Sequence, residues 1–218
     1  LPEIKPAPKT SIFTHLQRNP PSWFNINYYQ FEWINYMKIG IISDTHDDFV
    51  ATNHAIDVFE DNSVEVVIHA GDFISPPIIT EFKRLTDKNV KFYGILGNND
   101  GEKKGLRDAF EYIGGKLLGD LGKIEIDGLR FGIYHGVDLK KREKMCNSGK
   151  FDVCVFGHSH KREPEDENLK IVGNTIVFNP GNAHKSYELK YSQKMYFRKS
   201  SVLIFETKSK KIKFFNLE

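Results

Sequence analysis

The sequence predicts an α/β fold of two packed sheets with helices outside. Three observations predict it. From residue 37 to about 115, short apolar runs alternate with helix-length stretches, the pattern of strands joined by crossover helices. Beyond that point apolar runs follow one another through turn signals, so the second half is rich in strands. Finally, the runs end repeatedly in Asp, Asn or His beside Gly. In an open parallel sheet, ligands collect beyond the carboxyl ends of the strands.

The elements follow in order. Residues 38–43 read as a buried strand, apolar on both faces. Asp47 to about Asp61 is helical, with Phe49, Ala55, Ile56, Val58 and Phe59 as its apolar positions. Residues 65–70 form a second strand. Pro76 opens a helix that runs to about Asp87, since Pro suits a first helical turn. Residues 91–96 form a third strand. A helix over 103–112 follows and stops at Gly114-Gly115. Runs at 117–118, 122–126 and 129–134 read as strands, and Asp127-Gly128 is a hairpin turn signal. A basic helix spans about 138–146, then a buried strand at 151–156. Strands at 169–178, 201–206 and 211–215 finish the chain, and 161–168 and roughly 185–199 read as polar loops.

The length of 218 residues fits one domain with an appendage. Residues 1–36 differ from the rest: prolines stand at 2, 6, 8, 20 and 21, aromatics crowd from Trp23 to Tyr36, and no period is sustained. The favoured expectation is an extension outside the core, with the domain spanning 37–218; the competing one is an aromatic arm that docks on the body or on a partner. The apolar fraction of 39% can build a core, and a net charge of +2 indicates no nucleic-acid footprint. Cys146 and Cys154 cannot form a disulfide framework, and Cys154 reads as a small core residue. No apolar run spans a bilayer and no signal peptide is visible, so a cytoplasmic protein is expected.

The chemistry lies where the runs end. They supply Asp44 and His46, Asp72, Asn98, His135, and His158 and His160. Asp44-x-His46 alone is weak, because Asp also caps helices. The joint set is not: each His can ligate through one ring nitrogen while the other is oriented by an acceptor, and an Asp can bridge two cations. With only O and N donors, the set suits Mn²⁺, Ni²⁺, Fe or Zn²⁺.

Asp44-x-His46, Gly71-Asp72, Gly97-Asn98, His135-Gly136 and Gly157-His158-x-His160 resemble, in order, the calcineurin-like metallophosphoesterase superfamily. Asn179-Pro180-Gly181-Asn182 resembles the segment that follows in its small archaeal and bacterial phosphodiesterase branch. The resemblance implies a metallophosphoesterase-type sandwich of two mixed β-sheets flanked by helices. It implies two divalent metals, Mn²⁺ first among them. One would sit on Asp44, His46, Asp72 and His160, the other on Asp72, Asn98, His135 and His158. The implied activity is hydrolysis of a small phosphodiester by in-line attack of a metal-bridging hydroxide, with catalytic roles for Asn98, Asn99 and His135.

The chain departs from the wider family at Asn99, where many members carry a His thought to help protonate the leaving group. Asn99 can donate to a phosphate oxygen but is no general acid, and it reads equally as a turn residue. The proton donor is left unassigned. His69 reads as a buried, hydrogen-bonded residue, His54 as a partly exposed helix residue, and His184 as a candidate near the ligands or the substrate. The basic stretch 140–144 reads as a solvated helix face. Two other readings stay open: a scaffold like the retromer subunit of this fold, whose branch lacks part of the metal set, and a phosphomonoesterase. The oligomeric state is open too.

Overall fold

Strand β1 (Lys38–Ile42) is buried on both faces after its first residue, as its unbroken apolar run requires. The computed structural model describes residues 36–189 and 195–217, so the expectations for residues 1–35 lie outside the described residues. From β1 the chain enters α1 (Phe49–Asp61), whose N-cap Asp48 accepts the Ala51 N–H. Then come β2 (Val66–His69), α2 (Pro76–Glu81), α3 (Lys83–Thr86), β3 (Lys91–Gly94), α4 (Lys103–Tyr112) and β4 (Lys116–Leu117). The second half holds β5 (Leu121–Ile126), β6 (Leu129–Tyr134), α5 (Leu139–Cys146), β7 (Val153–Val155), β8 (Arg162–Glu163), β9 (Lys170–Val172) and β10 (Thr175–Pro180). A two-stranded hairpin, β11 (Ser186–Leu189) with β12 (Met195–Arg198), precedes β13 (Ser200–Glu206) and β14 (Ile212–Leu217).

Two mixed sheets result. The first has the order β14-β13-β1-β2-β3-β4, parallel from β1 to β4 and antiparallel at β13 and β14. The second has the order β5-β6-β7-β10-β8, with β9 also on β10; β6, β7 and β10 run parallel. Alternation along the strands builds the layers. Ile39 and Ile41 of β1 meet Phe131, Ile133, Val153 and Val155 of the second sheet in one core. The opposite face of the first sheet packs on α1 to α4 through Ile42, Phe59, Phe82, Phe92 and Phe110. The outer face of the second sheet meets α5 through Cys154, Val177, Met145 and Cys146. Phe59 is fully buried there; Phe59→Ala should cost about 3–5 kcal/mol of stability in urea unfolding, since the cavity can close only in part.

The structure corrects four sequence expectations. The helix expected over 76–87 is two helices broken at Phe82, whose ring stacks on Phe92 at 4.4 Å in the core. The strand expected over 169–178 is the hairpin β9–β10, turning at Gly173, which has a left-handed φ of 61°. The polar stretches at 161–168 and 185–199 hold β8 and the β11–β12 hairpin, because charged residues at sheet edges still pair their backbones.

Candidate metal centre

The segments after β1 and β2 are tied together by backbone. Asp44 N–H donates to Gly71 O at 2.9 Å, and His46 N–H to Asp72 O at 3.2 Å. Gly157 N–H donates to His135 O at 2.9 Å, which joins the ends of β6 and β7. Ala183 N–H, after β10, reaches the Ser43 and Asp44 carbonyls at 3.0 and 3.2 Å. Loops far apart in sequence therefore meet at one end of the sandwich. Their backbone is strained there: Asp44, His46, Asp72, His158 and His160 all have φ between 44° and 66°. Such conformations cost free energy in non-glycine residues and cluster at functional sites.

The side chains converge. His135 Nε2 lies 3.2 Å from Asp72 Oδ2 and 3.8 Å from Asp44 Oδ1. His46 Nε2 lies 3.5 Å from Asp72 Oδ2, and His160 Nε2 lies 3.3 Å from Asp44 Oδ1. The His158 ring sits 5.2 Å from the His135 ring, edge to face, and the His158 backbone N–H donates to Asp44 Oδ2. Asn98 is exposed between Gly97 and Asn99, both of which are bound to carboxylates of the site.

These residues fit divalent cations by what they leave unpaired. Asp44 Oδ2 is satisfied by the Ser43 hydroxyl at 2.6 Å and the His158 N–H at 3.0 Å. Asp44 Oδ1, His46 Nε2 and His135 Nε2 are buried without hydrogen-bond partners, which is costly unless something charged completes them. His135 Nδ1 lies 2.8 Å from the Ala70 carbonyl. A carbonyl only accepts, so Nδ1 carries the proton and Nε2 keeps its lone pair for a cation.

Two supporting residues, Asn99 and Asp100, change the sequence reading, and His184 lies near the ligands as read. Asn99 donates its backbone N–H to Asp72 Oδ1 at 2.9 Å and its amide to Asp72 Oδ2 at 2.7 Å, so it orients this carboxylate. Asp100, which the sequence reading assigned no role, accepts the N–H groups of Asp72, Phe73, Ile74 and Gly97. The only signal for it was its place closing the Gly97-Asn98-Asn99-Asp100 turn. His184 Nδ1 lies 2.6 Å from Asp44 O, and its ring is 4.4 Å from that of His46. His69 is buried between the Gly71 N–H and the Thr45 hydroxyl, as read, and burial pushes its pKa down to about 3.

Gly97 is required by this packing. A Cβ there would fall on Asp72 Oδ1 and 2.5 Å from the Asp72 nitrogen. Gly97→Ala should lower the Tm and weaken cation binding measured by chelator competition, because the Asp72 side chain and backbone must both move.

Electrostatics follow from the convergence. Burial works against the Asp44 charge, yet His160, His46, His135 and Ser43 hold its carboxyl well below the usual range. Asp44 raises the His46 pKa against its burial; for His135, burial opposes the charge but Asp72 and Asp44 outweigh it, so its pKa is raised too. Without a cation, a raised imidazole pKa adds stability below the unfolded pKa, and this is lost as pH rises through the folded value. Protons and cations compete for these nitrogens. Cation affinity should therefore fall as pH drops through the raised values, by about tenfold per pH unit for each imidazole that must shed a proton. Chelator competition across neutral pH checks this.

Comparison with known proteins identifies the family. Residues 37–210 match the model of the calcineurin-like phosphoesterase superfamily domain. A phosphodiesterase of Methanocaldococcus jannaschii is 41% identical over 146 residues, 66% of this chain and 83% of that protein. A solved archaeal phosphodiesterase is 34% identical, with a TM-score of 0.69 over 83% of this chain and 100% of that one. The E. coli phosphoesterase Yfce shares the fold at 15% identity, with a TM-score of 0.52 over 84% of this chain and 100% of that one. No helix among the described residues is long and apolar enough to cross a membrane. On the extent of the family match and the identity to the M. jannaschii relative, the chain belongs to the calcineurin-like phosphoesterase superfamily.

Proposed function

We propose that this chain is a metal-dependent phosphodiesterase that works with two divalent cations on a small phosphodiester. The observation that carries the reading is the convergence of the unpaired Asp44 Oδ1, His46 Nε2 and His135 Nε2 around Asp72. Asp44, His46, Asp72 and His160 would hold one cation; Asp72, Asn98, His135 and His158 would hold the other. When bound, such a pair stabilises charge on the phosphoryl oxygens and acidifies water to a nucleophile near neutral pH. The M. jannaschii and archaeal relatives, both named as phosphodiesterases, support the diester class.

The chain's own residues set the rest. Ser43 and the His158 N–H fix the Asp44 carboxylate, and Ala70 O fixes the His135 tautomer. Asn99 holds Asp72 and has no proton to give an alkoxide. Diesters with good leaving groups should therefore turn over much faster than dialkyl diesters. The test is hydrolysis of a bis-aryl phosphate by metal-stripped protein after adding Mn²⁺ or Ni²⁺, and again after chelation. Equal turnover in both would contradict the proposal.

A further inference from the structure

His184 is an imidazole at this site beyond the seven residues assigned to the cations, and its segment is anchored to the Asp44 loop. Ala183 N–H is bound by the Ser43 and Asp44 carbonyls, and Asn182 Nδ2 donates to the His184 carbonyl at 2.5 Å. Lys185 N–H donates to Asp48 Oδ2 at 3.0 Å. These bonds on either side place the ring 4.4 Å from His46 and 4.9 Å from His160. One ligating nitrogen of each of the three rings lies within 4.8 Å of the other two.

The tautomer decides what His184 can offer. Its Nδ1 is 2.6 Å from the Asp44 carbonyl oxygen, which can only accept. Nδ1 therefore bears the proton, and Nε2 is left with a lone pair on a ring that lies beside those of His46 and His160. This is the arrangement of a ligating histidine whose far nitrogen is fixed by a backbone carbonyl, the same as His135 on Ala70 O.

We propose that His184 is a further metal ligand, so that the cation on Asp44, His46, Asp72 and His160 meets three imidazoles instead of two. The inference rests on the two-cation reading above. Its consequence is selectivity. Imidazole suits Zn²⁺ and Ni²⁺, whereas carboxylate and water suit Mn²⁺, and the general affinity order also places Mn²⁺ lowest. A third imidazole tilts this position towards Zn²⁺, Co²⁺ or Ni²⁺ and leaves the other position the more oxygen-rich of the two. The pair of sites is then chemically unequal.

The experiment uses the full chain, stripped of metal, as wild type, His184→Ala and His184→Asn. Asn retains a donor for the Asp44 carbonyl but has no ring nitrogen at the Nε2 place, so it separates anchoring from ligation. Zn²⁺ and Mn²⁺ affinities are measured by chelator competition, and Co²⁺ coordination by visible absorption. Losing only an outer support of a metal site typically costs about 10–100-fold in affinity. A lost ligand should weaken one Zn²⁺ at least that much in both variants, weaken Mn²⁺ less, and alter the Co²⁺ spectrum in both. Wild-type affinity and spectrum in His184→Asn would overturn the proposal and assign His184 to loop anchoring. If wild type takes up neither Zn²⁺ nor Co²⁺, the two-cation reading falls and this inference with it. Two bound cations insensitive to both substitutions would overturn this inference alone.

Discussion

Asp72→Ala is expected to reduce bis-aryl phosphate turnover by at least ~10³-fold, about 4 kcal/mol of transition-state stabilisation. Asp72 Oδ2 lies within 3.2 Å of His135 Nε2 and 3.5 Å of His46 Nε2, histidines assigned to different cations. On the proposed two-cation reading, its removal would take a ligand from both positions at once and leave the two imidazoles without their shared carboxylate. Substitution of a ligand that serves one cation, such as His160→Ala, should cost less in cation stoichiometry, with one site retained. The measurement is turnover at saturating metal together with bound metal per chain. A variant that keeps both cations and near wild-type turnover would remove Asp72 from the centre. The contrast with the scaffold reading is direct: a protein that acts only by assembly would keep partner binding when Asp72 is lost, and would show no turnover to lose.

The fold was legible where local pattern and tertiary burial agree. Strand β6 and helix α4 have the bounds expected from their residues, because an apolar run and an amphipathic stretch each had a turn signal behind them. The break at Phe82 was not legible, since it depends on a ring stacked on Phe92 from another element. At the site, five of the assigned residues stand within ion-pair reach of one another, and each was visible as the end of an apolar run. Asn99 was visible but its target was not: a turn residue and a carboxylate clamp look alike until Asp72 is seen beside it. His184 was visible as a candidate near the ligands, but its partner Asp44 O was not; Asp100 was missed, because it acts through the N–H groups of residues 72–74, distant in sequence, and no spacing rule marks such partners.

Asp100→Ala should destabilise the fold by about 3 kcal/mol or more, because it strips acceptors from buried N–H groups that each cost about 1–3 kcal/mol when unsatisfied. Asp100 Oδ2 accepts from Asp72 N–H at 2.9 Å and Gly97 N–H at 2.7 Å; Oδ1 accepts from Phe73 N–H at 2.7 Å and Ile74 N–H at 2.9 Å. The residue is 2% exposed, so water replaces these bonds poorly. Two of the residues it holds are strained: Asp72 has φ 60° and Ile74 has φ 86°, a conformation that a β-branched side chain resists. The carboxylate thus keeps the loop after β2 in a shape it would otherwise leave, and that loop carries Asp72. For a domain of this size the loss corresponds to a Tm lower by roughly 6–12 °C. Asp100→Asn should be only partly protective, since one acceptor oxygen becomes a donor facing backbone N–H groups. Both variants should also weaken cation binding, although Asp100 is placed to touch N–H groups and not the cation. Thermal unfolding of the metal-stripped protein separates the two effects: an unchanged Tm in Asp100→Ala would mean that the loop holds its strained shape without this carboxylate.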